Sequence, residues 1–149
     1  FDHIGGNAAL AKAADAPIYL NKEDIFLLEA ASGRRFGLPE TETFTYRTLE
    51  AGEITFAGLR ITVIHTPGHS PGSLSYYFQD QGVLFSGDVL FYRDPGRSDL
   101  PGGSRPILEN ETIRGKLYAL PDETLVYPGH GPSTNIGDEK TENHWVRMT

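Results

Sequence analysis

The amino-acid sequence predicts an α/β fold in which helices flank mixed, mostly antiparallel sheets. Stretches rich in strong helix formers alternate along the chain with short apolar runs of strand character. The chain of 149 residues is 38% hydrophobic and 22% charged, which is typical of a globular protein with a sizeable core. We therefore expect one domain spanning residues 1–149.

The first part of the chain contains two predicted helices separated by a short strand. Ala8–Asp15 consists largely of strong helix formers, so we expect a helix there with Asn7 as its N-cap. The segment 17–20 has the character of a short strand. A second helix is predicted from the cap Asn21 to the pair Ser32-Gly33, because acidic residues follow the cap.

Short apolar runs broken by turns dominate the region from residue 47 to residue 87, and this pattern is typical of antiparallel strands. One of the turns is predicted over Gln79–Gly82. A long loop rich in Gly and Pro follows, and its length indicates a functional role. After it we expect two helices and one further strand. The predicted bounds are 88–106 for the loop, 107–120 for a helix with one apolar face, 124–127 for the last strand and 137–145 for a short last helix.

The balance of charges argues against nucleic acid as a partner. The chain carries 13 Lys and Arg against 20 Asp and Glu, and its basic residues stand singly apart from Arg34-Arg35. A phosphate backbone is bound by clustered positive charge. No apolar run approaches the roughly 20 residues that span a bilayer, and no export-signal pattern is present. We therefore expect a cytoplasmic protein without a membrane partner, and the sequence leaves its oligomeric state open.

Side chains able to bind a metal ion follow several predicted strands. Cysteine is absent, so any metal ion would be held by His and carboxylate groups. His69 stands in the loop His65–Ser73, where two Pro-Gly pairs favour a rigid conformation. Asp88 directly follows one strand, and His130 follows the last strand after a Pro-Gly pair. The further candidates, at the start of the chain, are Asp2 and His3.

Five ordered segments carry a family resemblance. They are Phe1–Gly6, Thr66–Ser73, Gly87–Phe91, Gly96–Asp99 and Pro128–Pro132. Together they resemble the metallo-β-lactamase superfamily, and within it the glyoxalase II-like (hydroxyacylglutathione hydrolase-like) metal hydrolases. The resemblance implies an αββα sandwich. The family motif His-x-His-x-Asp-His would begin before residue 1, so the resemblance also implies an N-terminally truncated domain of which this chain is the larger C-terminal part.

The resemblance implies a site for two metal ions. Asp88 is the implied bridging carboxylate, and His69 is an implied ligand of the first metal. Asp2, His3 and His130 are the implied ligands of the second metal. Zinc is the expected metal, and iron and manganese are alternatives because His and Asp ligands suit all three.

The activity implied by the resemblance is hydrolysis of a small-molecule thioester or ester. Metal binding lowers the pKa of water from about 15.7 toward about 7, so a metal-bridging hydroxide would attack the carbonyl carbon. Asp2 would orient that water or accept its proton. Arg97 would either face an anionic group of the substrate or pair with Asp99, and Tyr92 on the same loop is a second candidate for a substrate contact.

Three alternatives to this function stay open. A mononuclear iron persulfide dioxygenase is similar to this chain through Thr-Pro-Gly-His at 66–69 and Gly-Arg-Ser-Asp at 96–99, whereas His130 within Pro-Gly-His-Gly-Pro favours the hydrolases. A lactonase is a nearer alternative among the hydrolases. The chain could also be a catalytically incomplete metal-binding fragment, since the two leading histidines of the family motif lie outside it.

Two other histidines are expected to lie outside the metal site. His65 precedes His69 by four residues, but Pro67 between them argues against a helical ligand pair. We therefore expect His65 to have a structural role. His144, near the end of the chain, is expected at the surface.

Overall fold

The computed structural model describes residues 2–30, 37 and 41–148. The chain divides into two compact units, Phe1–Leu49 and Glu50–Thr149. The expected end of the second helix at Ser32-Gly33 and the pair Arg34-Arg35 lie outside the described residues. The expectation of one domain stays a prediction.

The first unit contains two helices and a parallel pair of short strands. Helix α1 spans Asn7–Ala14, and strand β1 spans Ile18–Leu20. A 3-10 turn at Lys22–Asp24 leads into helix α2 at Ile25–Ala30. Strand β1 pairs in parallel with β2, Tyr46–Thr48.

The two predicted helix caps of this unit have different outcomes. The prediction of Asn7 as the cap of α1 was wrong, because Gly6 occupies that position and the backbone N–H of Asn7 already donates to the carbonyl of Ile4 at 3.0 Å. The prediction for Asn21 is confirmed, since its side-chain oxygen accepts a hydrogen bond from the backbone N–H of Glu23 at 3.0 Å. That bond satisfies one of the amide groups left without a helical partner at the start of a helix.

Among the described residues of the second unit, eight strands form the sheets. The strands are β3 (Gly52–Phe56), β4 (Leu59–His65), β5 (Leu74–Phe78), β6 (Val83–Gly87), β7 (Leu90–Phe91), β8 (Asp94–Pro95), β9 (Leu125–Pro128) and β10 (Thr134–Asn135). Strands β7 and β8 pair as a hairpin, and the other six form one sheet in the order β10-β9-β6-β5-β4-β3. All neighbours in the sheet are antiparallel except β6 and β9, which run parallel. The predicted mixed, mostly antiparallel sheet is confirmed.

The turn predicted between β5 and β6 is also confirmed. Gln79–Gln81 form a single 3-10 turn, and Gly82 follows it with a left-handed φ of 62°. Glycine adopts that conformation without the steric cost that a side chain would add.

The helix predicted over 107–120 is interrupted. A π-helix spans Ile107–Arg114, and a separate 3-10 turn spans Leu117–Ala119. The π-helix buries Leu108, Thr112 and Ile113, at spacings of four and five residues, so its inward face follows a longer period than the α-helical one used for the prediction.

The last helix, α3, spans Ile136–Glu142 and is shorter than the predicted 137–145. It ends at the buried C-cap Asn143, which has an extended backbone and makes two side-chain hydrogen bonds. The Asn143 amide nitrogen donates to Glu139 at 2.8 Å, and its side-chain oxygen accepts from the backbone N–H of Trp145 at 3.2 Å.

The core of the second unit lies between the sheet and these helices. Leu84 and Val126 from the sheet cluster with apolar side chains of the π-helix, the 3-10 turn, α3 and the tail. The helical members of the cluster and the tail residue are Leu108, Ile113, Leu117, Tyr118, Ile136 and Val146. Among the helices formed by the described residues, none combines the length and apolar character needed to cross a membrane.

Candidate metal centre

Three strands deliver candidate ligands to one edge of the six-stranded sheet. Strand β5 is antiparallel to both β4 and β6, and β6 is parallel to β9, so β4, β6 and β9 all run in one direction. Their C-terminal ends therefore meet at the same edge. His69 follows β4 by a short loop, Asp88 directly follows β6, and His130 follows β9 by one residue.

The three side chains converge on the carboxylate of Asp88. Its Oδ2 atom lies 3.6 Å from Nε2 of His130 and 3.9 Å from Nε2 of His69. Asp88 is 15% exposed and His69 is 21% exposed, whereas His130 is 55% exposed. The site is thus a partly buried carboxylate between two imidazole rings, open to solvent on the side of His130.

These separations fit a shared metal ion. Two ligand atoms that each lie about 2.1 Å from one ion can be no more than about 4.2 Å apart. Both pairs that join Asp88 to a histidine fall inside that limit. Imidazole nitrogen and carboxylate oxygen are also the ligand types to which a chain without cysteine is restricted.

The orientation of His69 is fixed by a backbone group of the long loop. Its Nδ1 atom lies 2.8 Å from the carbonyl oxygen of Arg97. A carbonyl can only accept a hydrogen bond, so Nδ1 carries a proton and Nε2 is the ring nitrogen that faces Asp88. This pattern is typical of metal-binding histidines, whose second nitrogen donates to a carbonyl or a carboxylate.

The loop that carries His69 is hydrogen-bonded to the π-helix and to residues on either side of that helix. Three carbonyls in the segment 65–68 accept hydrogen bonds at 2.6–2.8 Å from groups between residues 104 and 116. Within the loop itself, Nε2 of His65 lies 2.7 Å from the carbonyl of Pro71. The three contacts are His65 with the ammonium of Lys116, Pro67 with the hydroxyl of Thr112, and Gly68 with the backbone N–H of Ser104.

Glycine is required beside Asp88. A β-carbon at Gly96 would lie 1.8 Å from the carbonyl oxygen of Asp88, which is far inside van der Waals contact. The close approach lets the backbone N–H of Gly96 donate to Val89 at 3.0 Å. It also brings the next residue, Arg97, to the ring of His69.

The side chain of Arg97 pairs with Asp99. Its Nε and Nη2 atoms each donate to the Asp99 carboxylate at 2.9 Å, and both side chains are exposed. The guanidinium lowers the pKa of Asp99 from 3.8 to about 2, chiefly through these hydrogen bonds. Tyr92 is exposed, and the guanidinium of Arg93 lies over its ring at 4.6 Å. A substrate contact by Arg97 or Tyr92 stays a prediction.

The first unit contains the other two candidates. Nε2 of His3 lies 3.8 Å from Oδ2 of Asp2, and both side chains are about half exposed. His144, in the second unit, is exposed at the surface.

Sequence reasoning missed several residues that support the site. It considered the side chain of Arg97, whereas the structure uses its carbonyl to orient His69. Thr112 could have been identified from the sequence, because it is a polar residue on the otherwise apolar face of the predicted helix. No sequence pattern distinguishes the fully buried Glu139 from the acidic residues around it in α3.

Comparison with known proteins identifies the family. Residues 1–130 match the model of the metallo-β-lactamase superfamily. The chain is 40% identical to the probable metallo-hydrolase YqgX of Bacillus subtilis, over 98% of this chain and 71% of that protein. It is 35% identical to the hydroxyacylglutathione hydrolase GloC of Haemophilus influenzae, over 97% of this chain and 71% of that protein.

Two solved structures share the fold at similar levels of identity. The crystal structure of the BLEG-1 B3 metallo-β-lactamase is 41% identical with a TM-score of 0.90, covering 98% of this chain and 72% of that one. The crystal structure of TTHA1623 in a di-iron-bound form is 40% identical with a TM-score of 0.88, covering 98% and 73%. With its mixed sheet, its flanking helices and these matches, the chain belongs to the metallo-β-lactamase superfamily of metallo-hydrolases, whose fold binds divalent metals.

Proposed function

We propose that the protein is a dinuclear metal hydrolase of the glyoxalase II-like type that cleaves a small-molecule thioester or ester. The observation that carries this proposal is the position of the Asp88 carboxylate, which lies within 4 Å of the Nε2 atoms of two histidines. Both histidines face the same oxygen of Asp88, Oδ2, and a carboxylate oxygen placed in this way can bridge two metal ions. The 35% identity to a hydroxyacylglutathione hydrolase supports the choice of a thioester.

In this proposal His69 and Asp88 belong to the first metal, and Asp88, Asp2, His3 and His130 belong to the second. The assignment of Asp2 and His3 rests on the resemblance of the sequence to the family motif. Zinc is the proposed metal, and the di-iron form of TTHA1623 makes iron the main competitor. Divalent ions bound there would lower the pKa of a coordinated water toward about 7 and polarise a carbonyl group.

The residues of the chain then have separate tasks. Asp88 supplies negative charge within 4 Å of the Nε2 atoms of the two imidazoles. The carbonyl of Arg97 keeps His69 in the tautomer whose Nε2 can bind a metal. Asp2 accepts the proton of the attacking water as a general base.

The overall reaction needs no side-chain nucleophile, and the chain has no cysteine that could serve as one. The oxygen of a water molecule bonds to the carbonyl carbon of the thioester, and the carbon–sulfur bond breaks. The leaving thiolate takes up a proton, and the products are a carboxylic acid and a thiol.

The first experiment combines metal analysis with hydrolysis assays on the intact protein. We expect metal-dependent hydrolysis of S-lactoylglutathione or of a simple thioester, and loss of that activity in His69→Ala and His130→Ala. His144→Ala is the matched control because His144 is exposed at the surface, and it should retain full activity. Absence of hydrolysis across thioesters, esters, lactones and β-lactams by metal-loaded protein would contradict the proposal, and oxygen uptake with glutathione persulfide would replace it by the dioxygenase.

A further inference from the structure

The β7–β8 hairpin connects the three candidate ligands of the second unit. Its first strand begins two residues after Asp88, and the residues after its second strand bring the carbonyl of Arg97 to His69. Phe91, in the first strand, contacts the ring of His130 edge-on, with ring centroids 6.1 Å apart. The hairpin therefore adjoins or contacts all three ligands.

The tip of the hairpin has an unusual backbone conformation. Arg93 has a φ of 61°, in the left-handed region that is unfavourable for residues with a side chain. Such a conformation persists where surrounding contacts impose it. The contacts that impose it here come from α3 and β10.

Glu139 of α3 makes most of these contacts. Its side chain is fully buried, and both of its carboxylate oxygens lie 3.1 Å from the backbone nitrogen of Arg93. Oε1 also accepts a hydrogen bond from Nη1 of Arg93 at 2.6 Å. The hydroxyl of Thr134 and the amide of Asn143 donate to the same carboxylate at 2.7 and 2.8 Å. The carboxylate is thus itself held in one position while it binds the hairpin tip.

We infer that Glu139 is a positioning residue for the metal centre, acting through Arg93 and the β7–β8 hairpin. This inference rests on the metal centre of the proposed function but not on the choice of substrate. A buried ion pair contributes little net stability compared with apolar packing, but it defines a geometry because its hydrogen bonds are directional. Glu139 fixes the tip, and the two strands of the hairpin convey that position to Asp88 on one side and to the carbonyl of Arg97 on the other.

The test uses the tautomer of His69 in the metal-free protein. NMR correlations between ring protons and ring nitrogens report which nitrogen is protonated, and the chain has only 5 histidines to assign. We expect the unmodified protein to hold His69 with its proton on Nδ1. In Glu139→Gln the Arg97 carbonyl should shift, and His69 should become a mixture of tautomers while the protein remains folded.

Asp122→Asn is the matched control. It removes a carboxylate that pairs with Lys140 on α3 without touching the hairpin. It should leave the His69 tautomer unchanged, whereas a merely structural effect of weakening α3 would appear in both variants. If Glu139→Gln does not fold, Arg93→Lys provides the test instead. Lysine keeps the positive charge, but its single ammonium group cannot bind Glu139 and Glu142 at the same time as the guanidinium of Arg93 does.

Binding of Co²⁺ gives a second readout, since its visible absorption reports the geometry of its ligands. We expect Glu139→Gln to weaken Co²⁺ binding by about tenfold to a hundredfold, the usual effect of losing a partner outside the ligand shell, and to alter the spectrum. An unchanged tautomer together with unchanged Co²⁺ binding in a folded variant would overturn the inference, even if thioester hydrolysis were established. Failure of the unmodified protein to bind Co²⁺ would instead overturn the metal centre of the proposed function.

Discussion

Gly68 and Leu108 are in closer contact than any side chain at position 68 would allow. A β-carbon at Gly68 would lie 2.5 Å from both Cα and Cβ of Leu108, on the π-helix. Gly68 also has a φ of 130°, which is strained for every other residue. Since His69 is the next residue, this contact fixes the backbone immediately before the candidate ligand.

We predict that Gly68→Ala lowers the free energy of unfolding by about 2–5 kcal/mol, the combined cost of left-handed strain and overpacking. The collision is with backbone atoms, which cannot rotate away as a flexible side chain could. Chemical denaturation would measure the loss, and metal content should fall with it because the loop of His69 must move.

Gly82→Ala separates the two contributions. Gly82 has a φ of 62°, but a β-carbon there would meet nothing within 4 Å. Gly82→Ala should therefore show only the cost of the left-handed backbone, a loss of about 1–2 kcal/mol in the free energy of unfolding. Equal losses in the two variants would show that the contact with Leu108 is unimportant.

Asp88→Asn should abolish binding of at least one metal ion. The amide keeps the size of the side chain but removes the negative charge that two cations would share, and its nitrogen cannot act as a ligand. We expect hydrolysis to fall by more than the roughly 10–100-fold that is typical of residues outside the ligand shell. Elemental analysis and kcat/KM measure the two effects.

Asp94→Asn is the control for that variant. Asp94 is exposed and lies in the same hairpin, so its substitution changes the net charge equally without altering the site. Full metal content in Asp88→Asn would show that the carboxylate is not a ligand.

The arrangement of the candidate site could be predicted where it depends on strand ends. Apolar runs followed by turns identified the strands before His69, Asp88 and His130, and the sheet brings those three ends to one edge. The sequence could not show that β9 pairs in parallel with β6, which brings the end of β9 to the edge where β4 and β6 also end.

The supporting contacts could not be predicted, because they involve backbone atoms and tertiary packing. The carbonyl that orients His69 belongs to Arg97. Every residue that can adopt the same backbone conformation would supply such a carbonyl, so the identity of the residue carries no signal. The helix that packs against Gly68 likewise has the period of a π-helix, so an α-helical pattern predicted its existence and not its form.

Thr112→Val tests the support that the π-helix gives to the His69 loop. The hydroxyl of the buried Thr112 donates to the carbonyl of Pro67 at 2.6 Å, and valine has the same shape without the hydroxyl. The partly buried carbonyl would lose this donor, so we expect a loss of about 1–3 kcal/mol in the free energy of unfolding. Thr141→Val is the control, because that exposed hydroxyl bonds only within α3 and should contribute almost nothing. A loss of similar size in both variants would contradict a specific role for the Pro67 contact.

The ion pair between Arg97 and Asp99 should persist far into the acid range. The guanidinium lowers the pKa of Asp99 from 3.8 to about 2, so the folded protein binds this proton less readily than the unfolded chain does. The contribution of the pair to stability is therefore complete above pH 3.8 and is lost as the pH falls from 3.8 through about 2. An NMR titration of the Asp99 carboxyl carbon should give the low value, and Arg97→Gln should return it toward 3.8. Arg147→Gln, which removes an exposed positive charge elsewhere, should leave the titration unchanged. An ordinary pKa for Asp99 in the unmodified protein would mean that Arg97 is not committed to this pair, and its guanidinium would then be available to an anionic substrate group.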